Sequence, residues 1–398
     1  MRRQITILGG GYAGLLTALR LARRTRGQLD LRLISSSETF VERIRLHQAA
    51  IGTALPVLSL PRLLAGTGVQ FSAAHVDGFD LARGELHAKN QRFGFDELVL
   101  AVGSRVDKGL VPGASEHAFS LDSDEVPGLR ERLLAAQRAG GSVVVVGGGL
   151  TGIELVAELC ERWPLLPMTL LSQSVLGPEL SRRARDYIRQ HLAQRGVRVH
   201  EGARVQQIQR DALWWTDGDA TAAQRSSAEV CIWAGGFVGS SLPRQAGLLV
   251  NPREQALVDP HLRSLSHPHV TVVGDAAALE GKAAGPMHLS CKVALRLAVA
   301  GADNVARRHL KLPETPFAFA DGGVCISLGR RAGVIDRRWA DGTPREQIVV
   351  GRSGALLKEL ICRYTVLRMR AERSGLWPLD SLERPRQLGT TDQPQIAS

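Results

Sequence analysis

The chain has 398 residues, 44% hydrophobic and 22% charged, enough for two or three globular domains, and no stretch supplies the roughly 18 uninterrupted apolar residues of a membrane span. A formal net charge of +11 suits anionic partners such as dinucleotides or acidic lipids, or reflects an arginine-rich solvated surface; without finger spacing or an aromatic RNA-binding strand, no nucleic acid is expected. Five scattered cysteines, Cys160, Cys231, Cys291, Cys325 and Cys362, form no C-x-x-C pair, which argues against a disulfide framework or a metal site and for a reducing, cytoplasmic compartment.

At the N-terminus Arg2 and Arg3 precede an apolar stretch from Ile5 to Leu21, superficially a signal peptide, but glycines interrupt it and no small-residue cleavage site follows. Ile5–Leu8 reads as a strand, Gly9-Gly10-Gly11-Tyr12-Ala13-Gly14 as a turn, and the leucine-spaced residues to Leu21 as a helix. A second strand, Leu29–Ile34, follows. The pattern then repeats: Val143–Val146, the turn Gly147-Gly148-Gly149-Leu150-Thr151-Gly152, a helix through Leu159, and a strand at Met168–Leu171. Strands alternating with helices predict doubly wound parallel sheets. Arg182–Arg195 reads as a basic helix and Val197–Val199 as a strand. Val270–Val273 is a strand running into Gly274-Asp275, and Ser290–Val305 is helical. Beyond Pro313, strand-like runs at Val324–Leu328 and Ile348–Val350 suggest a separate α+β module. Ala355–Arg370 should be an amphipathic helix with Leu356, Leu360, Ile361, Tyr364 and Leu367 on one face and Lys358, Arg368 and Arg370 adding charge. That face would dock on the protein's own core, on a membrane surface or on a second copy. The polar tail from Ser381 is expected to be disordered.

Both turns are strand, G-x-G-x-x-G, helix, the context in which the motif carries meaning. The first glycine allows the tight turn, the second lets a pyrophosphate approach the backbone, and the third permits close helix–strand packing. The helix N-terminus then offers free N–H groups and the positive end of its dipole. Two such units in one chain predict two dinucleotide sites.

On these residues the chain, from Gln4 to Arg373, resembles the two-dinucleotide-binding-domain flavoproteins. The resemblance implies an α/β fold: an FAD domain (1–112 and 259–312), an inserted NAD(P) domain (113–258) and a C-terminal module (313–380). It implies FAD at the first turn, through Gly9, Gly11, Tyr12, Ala13 and Gly14, with Ser35 and Arg43 nearby. NAD(P)H would lie at the second, through Gly147, Gly149, Thr151 and Gly152. Leu98–Ser104, with Ala101 and Gly103, is similar to the family's crossover element. Val272–Asp275 is similar to its terminal flavin motif, where Gly274 and Asp275 would meet the flavin; Asp275 is alternatively a helix cap.

Neither second strand ends in the ribose-binding acid expected about 20 residues past the glycines; Ser35–Ser37, with Glu38 slightly later, and Ser172–Ser174 stand there instead. NADPH is therefore as good an expectation as NADH, with Arg182 or Arg183 as phosphate partners. No cysteine occurs in Phe40–Gln48, where the dithiol reductases of the superfamily carry their redox pair. The chain is more similar to the type II NADH dehydrogenase and apoptosis-inducing-factor-like branch. In that branch Glu154 would lie beside the nicotinamide and flavin; it could also simply complement the helix dipole. The glutamine-rich helix of the quinone reductases is replaced by Met287–Ala294, without glutamine. His47 and His288 are candidate polar groups near the flavin or structural histidines. The resemblance thus implies an oxidoreductase passing hydride from NAD(P)H to FAD and on to a small-molecule, quinone-like acceptor, with Glu154 and His47 as catalytic candidates. A dehydrogenase of a biosynthetic metabolite and a low-turnover redox sensor are the alternatives, and a homodimer is possible.

Overall fold

The computed structural model describes residues 2–218, 220, 222–279 and 288–374. Continuous apolar strands such as Val143–Val146 need cover on both faces, which helices flanking a parallel sheet provide. Two five-stranded sheets form. The first runs Val270–Val272, Glu97–Leu100, Gln4–Leu8, Asp30–Ser35, Gln70–Ala73; the second runs Ala118–Phe119, Val230–Trp233, Val143–Val146, Met168–Ser172, Arg198–Glu201. All neighbours are parallel. Leu8 faces Ile34 and Leu100; Val146 faces Leu171 and Trp233. The strand entering each glycine turn is therefore central, and the turn opens at its carboxyl end, where α/β sheets bind ligands.

Each half also carries an antiparallel meander, before Glu97–Leu100 in the first sheet and before Val230–Trp233 in the second. The first is Gly78–Asp80, Glu85–Ala88, Gln91–Gly94; the second is Ala203–Ile208, Ala212–Asp217, Gln224–Ser227. The sequence expectations contain neither. Strands such as Gln91–Gly94, with no buried residue, show too little alternation to be recognised. Ser104–Val106 and Phe237–Gly239 run antiparallel where the chain passes between the two halves.

The C-terminal module pairs Gly323–Ser327, Gly333–Arg338 and Pro344–Val350 antiparallel, then continues into the helix Gly351–Ser374. Its middle strand was missed because Asp336 and Arg338, both buried, occupy its inward positions. The helix Tyr12–Thr25 packs on Cys291–His309 through Thr17 and Ala298. Arg20 grips Asp303 of that second helix with two bonds of 2.8 and 2.7 Å. Arg20 and Arg23 both reach Glu372 at 3.3 and 2.6 Å, fixing the far end of the C-terminal helix to the first one.

That helix differs from expectation in orientation. Its leucine side faces solvent, with Leu356, Leu360 and Leu367 64%, 52% and 57% exposed. Lys358 and Arg368, expected as outer charges, turn inward. Docking of the apolar side on the protein's own core is thereby excluded. The tail from Ser381 lies outside the described residues. Among the described residues no helix is long and apolar enough to cross a membrane.

Candidate active site

The first turn shows why each glycine is needed. Gly9 has φ +114°, and a Cβ there would lie 2.3 Å from the Ala101 carbonyl oxygen. A Cβ on Gly14 would lie 1.8 Å from the Gly9 oxygen, and one on Gly10 would strike Ser35 at 2.6 Å. Gly11 is different: nothing stands within 4 Å of its missing side chain. It precedes the helix Tyr12–Thr25, whose first turn has no side-chain cap and no acid. An uncapped helix N-terminus behind an open glycine fits a dinucleotide pyrophosphate. Tyr12 itself turns inward, edge-on to Phe40 at 4.9 Å, so only its backbone faces the cradle.

Three further segments converge on this turn. Ala101 packs beside Gly14, and a Cβ on Gly274 would meet Ala13 at 2.8 Å. Gly103, at φ +71°, has open space where its side chain would be. Asp275 accepts a 2.7 Å bond from the Ser104 hydroxyl. Arg43 donates to the Ser104 carbonyl and to Asp122. Burial pushes the Asp275 carboxyl up, against the pull of Ser104 and Arg43. The helix that follows has Ser290 as its cap residue, and the Ser290 backbone N–H donates to Asp275. A groove of about 700 Å³ runs past Arg43, Ser104, Arg105, Lys108 and Asp122; none of the glycine-turn residues lines it.

The second turn repeats the first. Gly147 has φ +125° and a Cβ there would lie 2.6 Å from the Ala234 carbonyl; one on Gly152 would lie 1.9 Å from the Gly147 oxygen. Gly148 lies against Ser172 as Gly10 lies against Ser35, and Gly149 is as open as Gly11. Thr151 is in the uncapped first turn of Leu150–Arg162. A carboxylate does reach the loop after Ser172, but from the next strand: Glu201 accepts from the Leu176 N–H and pairs with Arg189 at 2.9 Å. Arg182 and Arg183 give their backbone N–H groups to Glu346 at 2.9 and 3.0 Å.

Glu154 and His47 come together. His47, in the short helix Leu46–Ala50, places Nδ1 3.8 Å from Glu154 and Nε2 3.9 Å from Glu158. Burial pushes the His47 imidazole down to about 4, with Glu154 opposing, so the ring is neutral at pH 7. Glu154 accepts from the Ser327 N–H at 2.9 Å and pairs with Lys358 Nζ at 2.8 Å. Burial alone would raise its carboxyl, but Lys358, His47 and Ser327 outweigh it and hold the group below the usual carboxylate range. Glu158, fully buried, is bound by the Ser327 hydroxyl at 3.2 Å and Arg330 at 3.4 Å, and burial raises it. Ser327, Arg330 and Lys358 carried no sequence signal: each lies far along the chain from its partner. His288 remains exposed at the start of the Cys291–His309 helix.

The five cysteines are free. Burial pushes Cys160 and Cys362 up to about 11 and Cys231 and Cys291 up to about 12. Among the described residues no group of acids, histidines and cysteines is placed to hold a metal ion.

The sequence profile of the pyridine nucleotide-disulphide oxidoreductases matches residues 3–301. The chain belongs to that family. It is 29% identical over 298 residues to an NADH dehydrogenase-like protein of Mycobacterium tuberculosis, covering 69% of this chain and 73% of that one. It is 24% identical over 400 residues to a type II NADH:quinone oxidoreductase of Staphylococcus aureus, covering 92% and 96%. Of solved structures, the sulfide:quinone oxidoreductase of Aquifex aeolicus superposes with a TM-score of 0.79 at 18% identity, over 93% of this chain and 92% of that one. NDH2 of Plasmodium falciparum in complex with NADH gives 0.77 at 15%, over 94% and 98%. This pyridine nucleotide-disulphide oxidoreductase is an FAD-dependent enzyme of NAD(P)H oxidation.

Proposed function

We propose that FAD is held by the Gly9–Gly14 turn with Ser35, Arg43, Ala101, Gly103, Gly274 and Asp275, and NAD(P)H by the Gly147–Gly152 turn with Thr151 and Glu154. Electrons then leave to a small-molecule, quinone-like acceptor. The observation that carries this reading is the duplicate turn: the same strained glycine, the same close approach and the same open glycine recur at both helix N-termini. Bound FAD supplies a carrier that accepts a hydride and releases electrons to a second substrate. The helix N–H groups hold phosphates and orient both cofactors, which is where most of the rate gain of such transfers arises. Glu154 presents a fixed negative charge on the nicotinamide side, and neutral His47 packs behind it. The high thiols of the buried cysteines, and His47 in place of a cysteine pair, favour direct transfer to the acceptor over dithiol exchange.

The relatives named NADH dehydrogenase-like and type II NADH:quinone oxidoreductase support a quinone-like acceptor. The described part of the Met287–Ala294 segment, His288–Ala294, has no glutamine and favours a second reading, a dehydrogenase of a small metabolite. The domain limits are 1–112 with 259–312, 113–258 and 313–380. The exposed leucine side of the C-terminal helix supports peripheral attachment to a membrane from a reducing, cytoplasmic compartment, with a second copy of the chain as the competing occupant. Anaerobic mixing with NADH and NADPH, each followed by reoxidation with quinones and other oxidants, tests the reading. Bleaching of the flavin by a nicotinamide and its recovery with quinone are expected; a flavin that neither nucleotide reduces would overturn it.

A further inference from the structure

We infer that Gln48 decides which nitrogen of His47 carries the proton, so that a neutral imidazole presents Nδ1–H to Glu154 on the nicotinamide side of the site. Gln48 is then a positioning residue acting through His47, and the inference rests on the reading of Glu154 given above. The contacts start at Arg45. Its Nε donates to Glu42 at 3.2 Å and its terminal nitrogens to Glu359 at 2.9 and 2.9 Å. One of those nitrogens also donates to Gln48 Oε1 at 3.2 Å. A guanidinium has donors only, so the amide oxygen of Gln48 must face it and the amide NH2 must point away. There the NH2 meets His47 Nε2 at 3.5 Å. An NH2 group only donates, so Nε2 has to offer its lone pair, and the one N–H of a neutral ring then sits on Nδ1.

Nδ1 lies 3.8 Å from Glu154 Oε2. That gap is longer than a hydrogen bond, and a small turn of the ring closes it, as such contacts tighten once substrate is seated. Oε1 of the same carboxylate is already taken by the Ser327 N–H and by Lys358, which leaves Oε2 as the oxygen for His47 to orient. The ring is buried, and the charged groups facing it are Glu154 and Glu158 from the Leu150–Arg162 helix, Arg45, Arg330 and Lys358. Three cations and little water disfavour the imidazolium. Glu158 is the competitor, because its Oε1 lies 3.9 Å from Nε2 and would draw the proton there. That oxygen already accepts from the Ser327 hydroxyl at 3.2 Å and from Arg330 at 3.4 Å. The opposite tautomer would set the Nε2 proton against the Gln48 NH2 and leave the Nδ1 lone pair facing the Glu154 carboxylate. Both are like-for-like contacts, with no water to relieve them.

Nitrogen NMR of the FAD-loaded enzyme carrying isotope-labelled histidine reads the tautomer directly, with the His47→Leu spectrum identifying the signals of this ring. Wild type at pH 7 should show a protonated Nδ1 and a bare Nε2; a protonated Nε2, or an imidazolium, overturns the inference. Gln48→Glu turns the donor into an acceptor and should move the proton to Nε2. Flavin reduction by NAD(P)H should then slow by about tenfold, the worth of one hydrogen bond at the site. His47→Leu should slow it by a similar factor. Adding Gln48→Glu to His47→Leu should change the rate by less than about twofold, since Gln48 acts only through the ring. Flavin content is checked first, and the wild-type spectrum carries the test whether or not Gln48→Glu folds. An unchanged rate despite a moved proton overturns the inference, as does a full further loss in the double variant. Glu154→Gln with wild-type flavin reduction overturns the reading of Glu154 instead and leaves the wild-type ring spectrum as it is.

Discussion

Replacing Gly11 by alanine separates cofactor binding from folding. In the protein, Gly11 sits in extended backbone at φ −78° and ψ −167°, which any residue adopts, and nothing lies within 4 Å of the added Cβ. The cost to the fold is that of a less suitable helix N-cap, up to about 1 kcal/mol. The methyl group nonetheless enters the side from which a pyrophosphate approaches the uncapped N–H groups. Losing one or two charge-assisted hydrogen bonds removes about 1.5–3 kcal/mol each. FAD affinity should then fall by between about tenfold and ten-thousandfold. Gly14→Ala is the contrast, since its Cβ would lie 1.8 Å from the Gly9 oxygen and should damage the turn itself. Apoprotein melting and FAD titration by flavin fluorescence measure the two effects separately. Gly149→Ala, in the matching position, should weaken NAD(P)H binding and leave FAD content intact. FAD affinity within twofold of wild type in Gly11→Ala, or an apoprotein loss large enough to explain the FAD loss, would refute the reasoning.

Three further outcomes are expected. The folded pKa of His47 lies below its unfolded value of 6.5, at about 4, so the unfolded chain binds the proton first. Stability should be full above about pH 6.5 and decline by up to about 3 kcal/mol as pH falls towards 4. Thermal unfolding across that range should show a shallower slope in His47→Gln; part remains because His191 is also held near 4. Leu356→Glu/Leu360→Glu should abolish flotation with anionic vesicles while leaving the melting temperature unchanged, since both positions are exposed; flotation undiminished in this variant would place the contact elsewhere. A cysteine-free variant, if folded, should still be reduced by NAD(P)H, whereas a thiolate charge-transfer band lost on alkylation would contradict direct transfer.

The glycine turns were legible because every residue they need is local: strand, turn and helix follow one another within about two dozen residues, and each glycine answers a local backbone demand. The ion cluster at Glu154 was not legible, because its partners come from the other end of the chain. Lys358 shows the difficulty most clearly. Helical periodicity identified an apolar side and a charged side, but only the fold decides which is buried. Here the inward side is charged because Glu154 and Arg45 wait beneath it for Lys358 and Glu359. The carboxylate near the second nucleotide loop was missed for a related reason. It was sought at the end of the second strand, where Ser172 stands, and arrives from Glu201 on the neighbouring strand. The first meander was missed because strands such as Gln91–Gly94 bury no side chain, and the second because the irregularity between Val205 and Gln207 interrupts the alternation of its first strand.

The C-terminal helix is pinned twice, near its start by Lys358 and Glu359 and at its end by Glu372 on Arg20 and Arg23. Of its outward leucines, Leu360 and Leu367 lie between these two anchors and Leu356 lies just before the first. A surface that takes hold of them therefore grips a rigid pedestal and not a tether. The molecule would sit on it at one angle, and the distance from the support to the glycine turns would be set by the protein's own framework, not by a wandering linker.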